Sequence, residues 1–130
     1  MKYDLEKLRK VIAIDFDSTI CETNYPDIIK PMPYAIWALN ALQQHGYIII
    51  LNTCRIEQHE DWAVDYLFNQ GFVPDLVNEN HKDRINMFGG DCRKISADIY
   101  IDDKTFGIKI TDTFWMDVVN ALVICGEKCQ

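Results

Sequence analysis

A chain of 130 residues is the size of one domain around one hydrophobic core. Its 48% hydrophobic and 25% charged residues exclude a fibrous or disordered chain, and no apolar run approaches the roughly 20 residues that span a bilayer. The net charge of −7 argues against nucleic acid as a partner, because a phosphate backbone calls for a basic footprint.

In chain order, Met1 to Lys10 alternates charged and apolar residues and has no signal-peptide core. Val11 to Ile14 is then a short β-rich apolar run that ends abruptly in Asp15, the pattern of a strand buried on both faces. Asn24 to Pro33, with three prolines, reads as an ordered excursion, with Tyr25 in a short flap. Ala35, Ala38, Leu39 and Leu42 follow helical spacing from Pro33 to the stop at His45-Gly46.

Tyr47 to Leu51 is a second strand, ending in Asn52-Thr53. Ala63, Tyr66 and Leu67 mark a second helix, opened near Glu60-Asp61 and stopped by Gly71. Leu76-Val77 is a shorter strand, and Asp83 to Phe88 a weaker helix before Gly89-Gly90. Ile99 to Ile101 is the third strong strand, ending in Asp102-Asp103, and Ile108 to Ile110 is a further short candidate. Trp115, Val118, Val119 and Leu122 mark a last helix after the capping candidates Asp112 and Thr113. Trp37, Trp62 and Trp115 all fall on helix patterns and are expected in the core.

Strands alternating with helices predict a doubly wound, Rossmann-like α/β fold, with a parallel sheet and helices on both faces, in a single domain over residues 1–130. The five cysteines, Cys21, Cys54, Cys92, Cys125 and Cys129, are odd in number and scattered, with no CxxC pair. They read as free thiols, and together with the charged N-terminus they predict a cytoplasmic protein. Cys54 has no adjacent histidine base, which argues against a nucleophilic role.

In open α/β sheets ligands bind outside the carboxyl ends of the strands. The three strongest strands here end in Asp15-Phe16-Asp17-Ser18-Thr19, in Thr53-Cys54-Arg55 and in Asp102-Asp103. Parallel strands bring all three endings to one edge. Adjacent carboxylates repel unless a cation or a shared proton holds them, and an oxygen-rich cluster suits Mg²⁺. Arg55 offers a bidentate donor for a phosphate or for a surface carboxylate. His59 and His81 are candidates for the mouth of the site, and His45 reads as helix punctuation.

These segments resemble the motifs of the haloacid dehalogenase superfamily. Asp15 to Thr19 matches the first motif, DxDx[T/V]; Thr53 matches the second; Lys94 in Cys92-Arg93-Lys94-Ile95 best matches the third; and Asp102-Asp103 matches the acidic pair of the fourth. Arg93 to Lys104, RKISADIYIDDK, looks more narrowly like small capless phosphatase-like proteins of bacteria and their phages.

The resemblance implies a Mg²⁺-dependent phosphohydrolase with Asp15 as nucleophile and Asp17 as general acid and base. It implies metal ligation by Asp15, the Asp17 backbone carbonyl, and Asp102 and Asp103, with Asp103 the more direct of the pair. Thr53, in the Thr53-Cys54-Arg55 substrate-binding segment, would bond a phosphoryl oxygen, and Lys94 would offset its charge. Lys104 and Lys82 are alternatives for that lysine. The 38 residues from Asp15 to Thr53, and the 41 from Thr53 to Lys94, leave no room for a cap domain. An open site suits a phosphorylated small molecule or macromolecule, or a pocket completed by a neighbouring subunit in a homo-oligomer. The alternative readings are a non-catalytic binding protein and a receiver-like phosphoacceptor module, whose motif order fits poorly.

Overall fold

The computed structural model describes residues 10–124; Cys125, Cys129 and most of Met1 to Lys10 lie outside the described residues. Four parallel strands form the main sheet: β1 (Val11–Ile14), β4 (Ile48–Leu51), β5 (Leu76–Val77) and β6 (Ile99–Ile101), in the order β5-β4-β1-β6. Between β1 and β4 lie a two-stranded antiparallel hairpin, β2 (Cys21–Asn24) and β3 (Asp27–Pro31), and helix α1 (Ala35–Gln44). Helix α2 (Glu57–Gln70) joins β4 to β5, α3 (Lys82–Phe88) lies between β5 and β6, and α4 (Phe114–Val119) runs into a π-helical turn at Asn120–Ile124.

The register explains the two faces. Val11 pairs with Ile48, Ile12 with both Ile49 and Ile99, and Ile50 with Leu76. Side chains alternate along each strand. Ile12, Ile14, Ile49, Leu51 and Ile101 therefore share one face, where they pack with Ala35, Leu39 and Leu42 of α1, Ala63 and Leu67 of α2, and Trp115 and Val119 of α4. Val11, Ile48 and Ile50 face the other way, against Leu76, Ile95 and Ala97. Leu76 belongs to β5, and Ile95 and Ala97 to the segment after α3. Arg84 of α3 is tied to it by bonds to Ser96 Oγ and to Asp98 Oδ2.

Carboxylates close the amino ends of the strands. Asp98 accepts the Val11 N–H at 2.8 Å and Asp75 accepts the Ile49 N–H at 2.8 Å, so the first amide of β1 and an early one of β4 are not left bare. Gly71 ends α2 in the left-handed conformation at φ 96°, which glycine adopts without the penalty of a Cβ.

The ordered proline excursion is the turn and second strand of the β2–β3 hairpin. Other expectations need correction. Helix α2 starts one turn earlier than its apolar spacing suggests, because its first turn, Glu57 to Glu60, is polar. Ile108 to Ile110 forms no strand. Trp115 is fully buried, but Trp37 and Trp62 are 52% and 44% exposed, on the outer sides of their helices.

Candidate active site

The strand ladder continues past its last apolar residues into the polar ones. Asp15 donates its N–H to Ile101 O, Asn52 to Ile14 O and Asn78 to Leu51 O, at 2.8–2.9 Å. The carboxyl ends of β6, β1, β4 and β5 are therefore level, and their next residues open onto one edge.

Asp15, Asp102 and Asp103 each present a carboxylate oxygen within 4.8 Å of the others, all three half-buried. Thr19 organises them. Ser18, at φ 62°, turns the chain after Asp17, and Thr19 enters the interior with no exposed surface. Its hydroxyl lies 3.1 Å from Asp15 Oδ2 and 3.2 Å from Asp103 Oδ1, and it accepts the Asp103 N–H at 2.9 Å. One hydroxyl has one proton to give, so it serves one carboxylate at a time.

The cluster is short of positive charge. Burial first, then the negative charge of Asp102 and the bond to Asp103, raises the Asp15 pKa from 3.8 to about 7, against the lowering effect of Thr19. Three oxygen donors with a cation deficit, on half-buried backbone ends, fit a hard divalent ion such as Mg²⁺.

Asp17 stands apart from that cluster. Its two oxygens accept Arg55 Nε at 2.9 Å and Arg55 Nη2 at 2.8 Å, and Oδ1 also accepts the Thr23 hydroxyl at 2.8 Å. Burial alone would raise its pKa, but these bonds and the Arg55 charge outweigh it and hold the carboxyl below its ordinary value. The Asp17 side chain is not part of the triad, so any metal contact from this residue falls to its backbone carbonyl.

Arg55 is fully buried, and its remaining nitrogen, Nη1, donates to Pro26 O at 2.9 Å. Of its two expected partners, a phosphate or a carboxylate, Arg55 takes the carboxylate, and all three guanidinium nitrogens donate to protein. Thr53 sits half-buried at the end of β4. Its N–H bonds Asn78 Oδ1 at 2.8 Å and its hydroxyl oxygen accepts the Arg55 N–H at 3.1 Å, leaving the hydroxyl proton to donate. Asn78 holds its place at φ 52°, a conformation asparagine tolerates better than most residues.

Lys94 is not brought to Asp15. Its Nζ lies 4.9 Å from the centre of the Tyr100 ring, and it makes no ion pair among the described residues. Lys104 reaches the cluster instead, with Nζ 3.9 Å from Asp103 Oδ2 on an exposed side chain. Lys82 lines a surface cavity with Glu79, Asn80, His81 and Asp91.

Cys54 is exposed and Cys21 is buried, both as free thiols. Burial, helped by the Asp17 charge, pushes the Cys21 thiol up to about 12, so it acts as a packing group. His59 meets the Tyr25 hydroxyl at 3.3 Å, while His81 caps α3 by accepting the Asp83 N–H at 3.2 Å. His45 ends α1, as its position before Gly46 suggests.

Sequence reasoning missed Thr19 as the organiser, although it is the fifth residue of the first motif. It also missed Thr23 and Trp115 as supports: Trp115 Nε1 donates to Thr19 O at 2.9 Å. No local pattern could reveal the Trp115 contact, whose partner is 96 residues away, whereas Thr23 lies only six residues from Asp17.

The fold and this edge define a single-domain, Rossmann-like α/β protein with an acidic cluster at the carboxyl ends of β1 and β6. A solved structure of a conserved protein from Bacteroides thetaiotaomicron is similar, at 31% identity and a TM-score of 0.76 over 93% of each chain. The chain belongs to the same family as that conserved protein. No protein-family model and no curated protein matches it. Among the described residues no helix is long and apolar enough to cross a membrane.

Proposed function

We propose that this protein is a Mg²⁺-dependent phosphohydrolase that acts on a phosphomonoester through an aspartyl-phosphate at Asp15. The observation that carries the reading is the convergence of Asp15, Asp102 and Asp103 within 4.8 Å at the carboxyl ends of two adjacent parallel strands. The motif order, which resembles the haloacid dehalogenase superfamily, supports it.

Asp15, Asp102 and Asp103 would hold the ion, which when bound neutralises charge on the carboxylates and the phosphoryl group. An Asp15 oxygen attacks phosphorus, forming the aspartyl-phosphate as the bond to the leaving oxygen breaks. Asp17 supplies the proton to that oxygen and later takes one from the water that hydrolyses the intermediate. Its resting ionised state is the one needed for the second step. An arriving phosphoryl group, negative and close by, raises its proton affinity for the first. The Thr53 hydroxyl donates to a phosphoryl oxygen. The charge of Lys104 is available at Asp103, and that of Lys94 only once it leaves the Tyr100 ring.

The test is a turnover screen of sugar phosphates, nucleotides and phosphopeptides, with and without Mg²⁺. Metal-dependent release of phosphate is the expected result. Absence of turnover on every class, with or without metal, overturns the reading.

A further inference from the structure

Arg55 has an environment that stability alone does not explain. Its guanidinium is buried, with the Phe16 and Tyr25 rings each centred 5.1 Å from Cζ. Nε and Nη2 grip both oxygens of Asp17, and Nη1 donates to Pro26 O at 2.9 Å and more distantly to His59 O at 3.4 Å. Thr23 of β2 adds a third bond to the same carboxylate. The groups thus come from the loop after β1, from the hairpin and from the start of α2.

Arg55 is fully buried and Asp17 is 27% exposed. Taking a charge out of water costs much of what its attraction to a partner returns, so the pair is a weak source of stability. What the arginine fork does supply is orientation. Two parallel N–H donors on two carboxylate oxygens fix the plane of the acid, which a lysine ammonium cannot do.

The geometry points to Arg55 as a positioning residue for Asp17: it sets the plane of the acid and base carboxylate, and makes that plane depend on the β2–β3 hairpin docked through Pro26 and Tyr25. The inference rests on the proposed roles of Asp15 and Asp17. It assigns Arg55 no contact with substrate.

The test uses Arg55→Met and Arg55→Lys, each alone and combined with Asp17→Asn. Hydrolysis of p-nitrophenyl phosphate is followed with Mg²⁺, and circular dichroism melts check each fold. Small misplacements of catalytic groups cost about 10²-fold, so kcat of Arg55→Met should fall by about that much while KM changes by less than about threefold. Arg55→Lys should retain less than about a tenth of the wild-type rate, because charge without the fork does not fix the plane. If Arg55→Met fails to fold, Arg55→Lys decides.

The double variants separate positioning from an independent contribution. With Asp17 replaced there is nothing left to position, so each double variant should lie within about twofold of Asp17→Asn alone. A double variant that loses the product of the two single effects overturns the inference and leaves the phosphohydrolase reading standing. Wild-type protein without metal-dependent turnover overturns both.

Discussion

The indole N–H of Trp115 donates to the backbone carbonyl of Thr19 at 2.9 Å, across 96 residues of chain and with no solvent access. This bond fastens α4 to the loop that carries the acidic cluster. Thr19 is thereby fixed at both ends, by its carbonyl to Trp115 and by its hydroxyl to Asp15 and Asp103.

Thr19→Val keeps the shape and removes the hydroxyl. The Asp103 N–H loses its acceptor and the two carboxylates lose their common donor. Without metal the cost should be about 1–3 kcal/mol, the penalty of an unsatisfied polar group, read as a lower midpoint in urea denaturation. The Mg²⁺-induced rise in melting temperature should shrink as well.

Asp15 gives the metal-free protein an unusual pH dependence. Its pKa is about 7 in the fold against 3.8 as the ordinary value. Between those values the folded chain holds a proton that the unfolded chain has released, so stability falls as pH rises through this window. Asp17, whose pKa is lowered, acts in the opposite sense and only below its ordinary value. Metal-free melts should therefore decline from about pH 5 to about pH 8, and Asp15→Asn should flatten the decline. Mg²⁺ should raise the melting temperature more at the upper end of that range than at the lower.

Asp15→Asn should also abolish turnover, with a loss on the order of 10⁴–10⁶-fold, the scale seen when a nucleophile is removed. The variant should melt at or above the wild-type temperature in mildly alkaline buffer, since a crowded buried charge has gone. Acid-quenched wild type should carry phosphate on Asp15 by mass spectrometry. Substantial activity in purified Asp15→Asn, or phosphate on another residue, would exclude the two-aspartate chemistry.

Asp98 tests the opposite end of the sheet. Its Oδ2 takes the Val11 N–H at 2.8 Å and Arg84 Nη2 at 2.6 Å, and the Arg84 side chain is only 9% exposed. Asp98→Ala leaves both donors bare and should cost about 1–3 kcal/mol in urea denaturation. The exposed pair Lys30–Glu22, at 3.8 Å, is the control: Lys30→Met should change stability by less than about 0.5 kcal/mol.

The parallel sheet was legible because strands buried on both faces leave unbroken apolar runs, as at Val11 to Ile14 and Ile48 to Leu51. The edge where Asp15, Thr53 and Asp102 gather followed from where those runs stop. The hairpin left no such trace. Cys21–Asn24 and Asp27–Pro31 are mixed in polarity and mostly exposed, so no alternation betrays them. For Arg55 a sequence leaves a phosphate and a carboxylate equally open, because it does not show that Asp17, 38 residues away, claims the guanidinium. Lys94 matched a motif position, yet its long side chain found the face of Tyr100. Ile108 to Ile110 had the composition of a strand but forms no ladder, although Ile108 lines one cavity with Ile99 to Ile101 of the edge strand β6.

The order of strands across the sheet has a consequence for biosynthesis. Of the described strands β1 is made first, yet it ends up in the interior, with β4 on one side and β6 on the other. While the chain emerges, both margins of Val11–Ile14 stay unsatisfied until α1 and β4 have left the ribosome. One margin stays open until Ile99–Ile101 follows. A nascent chain stalled before that point presents a bare apolar strand edge, the template on which chains stick to one another. Chaperone dependence during synthesis should therefore fall with the emergence of β6, and fall further once α4 covers the sheet.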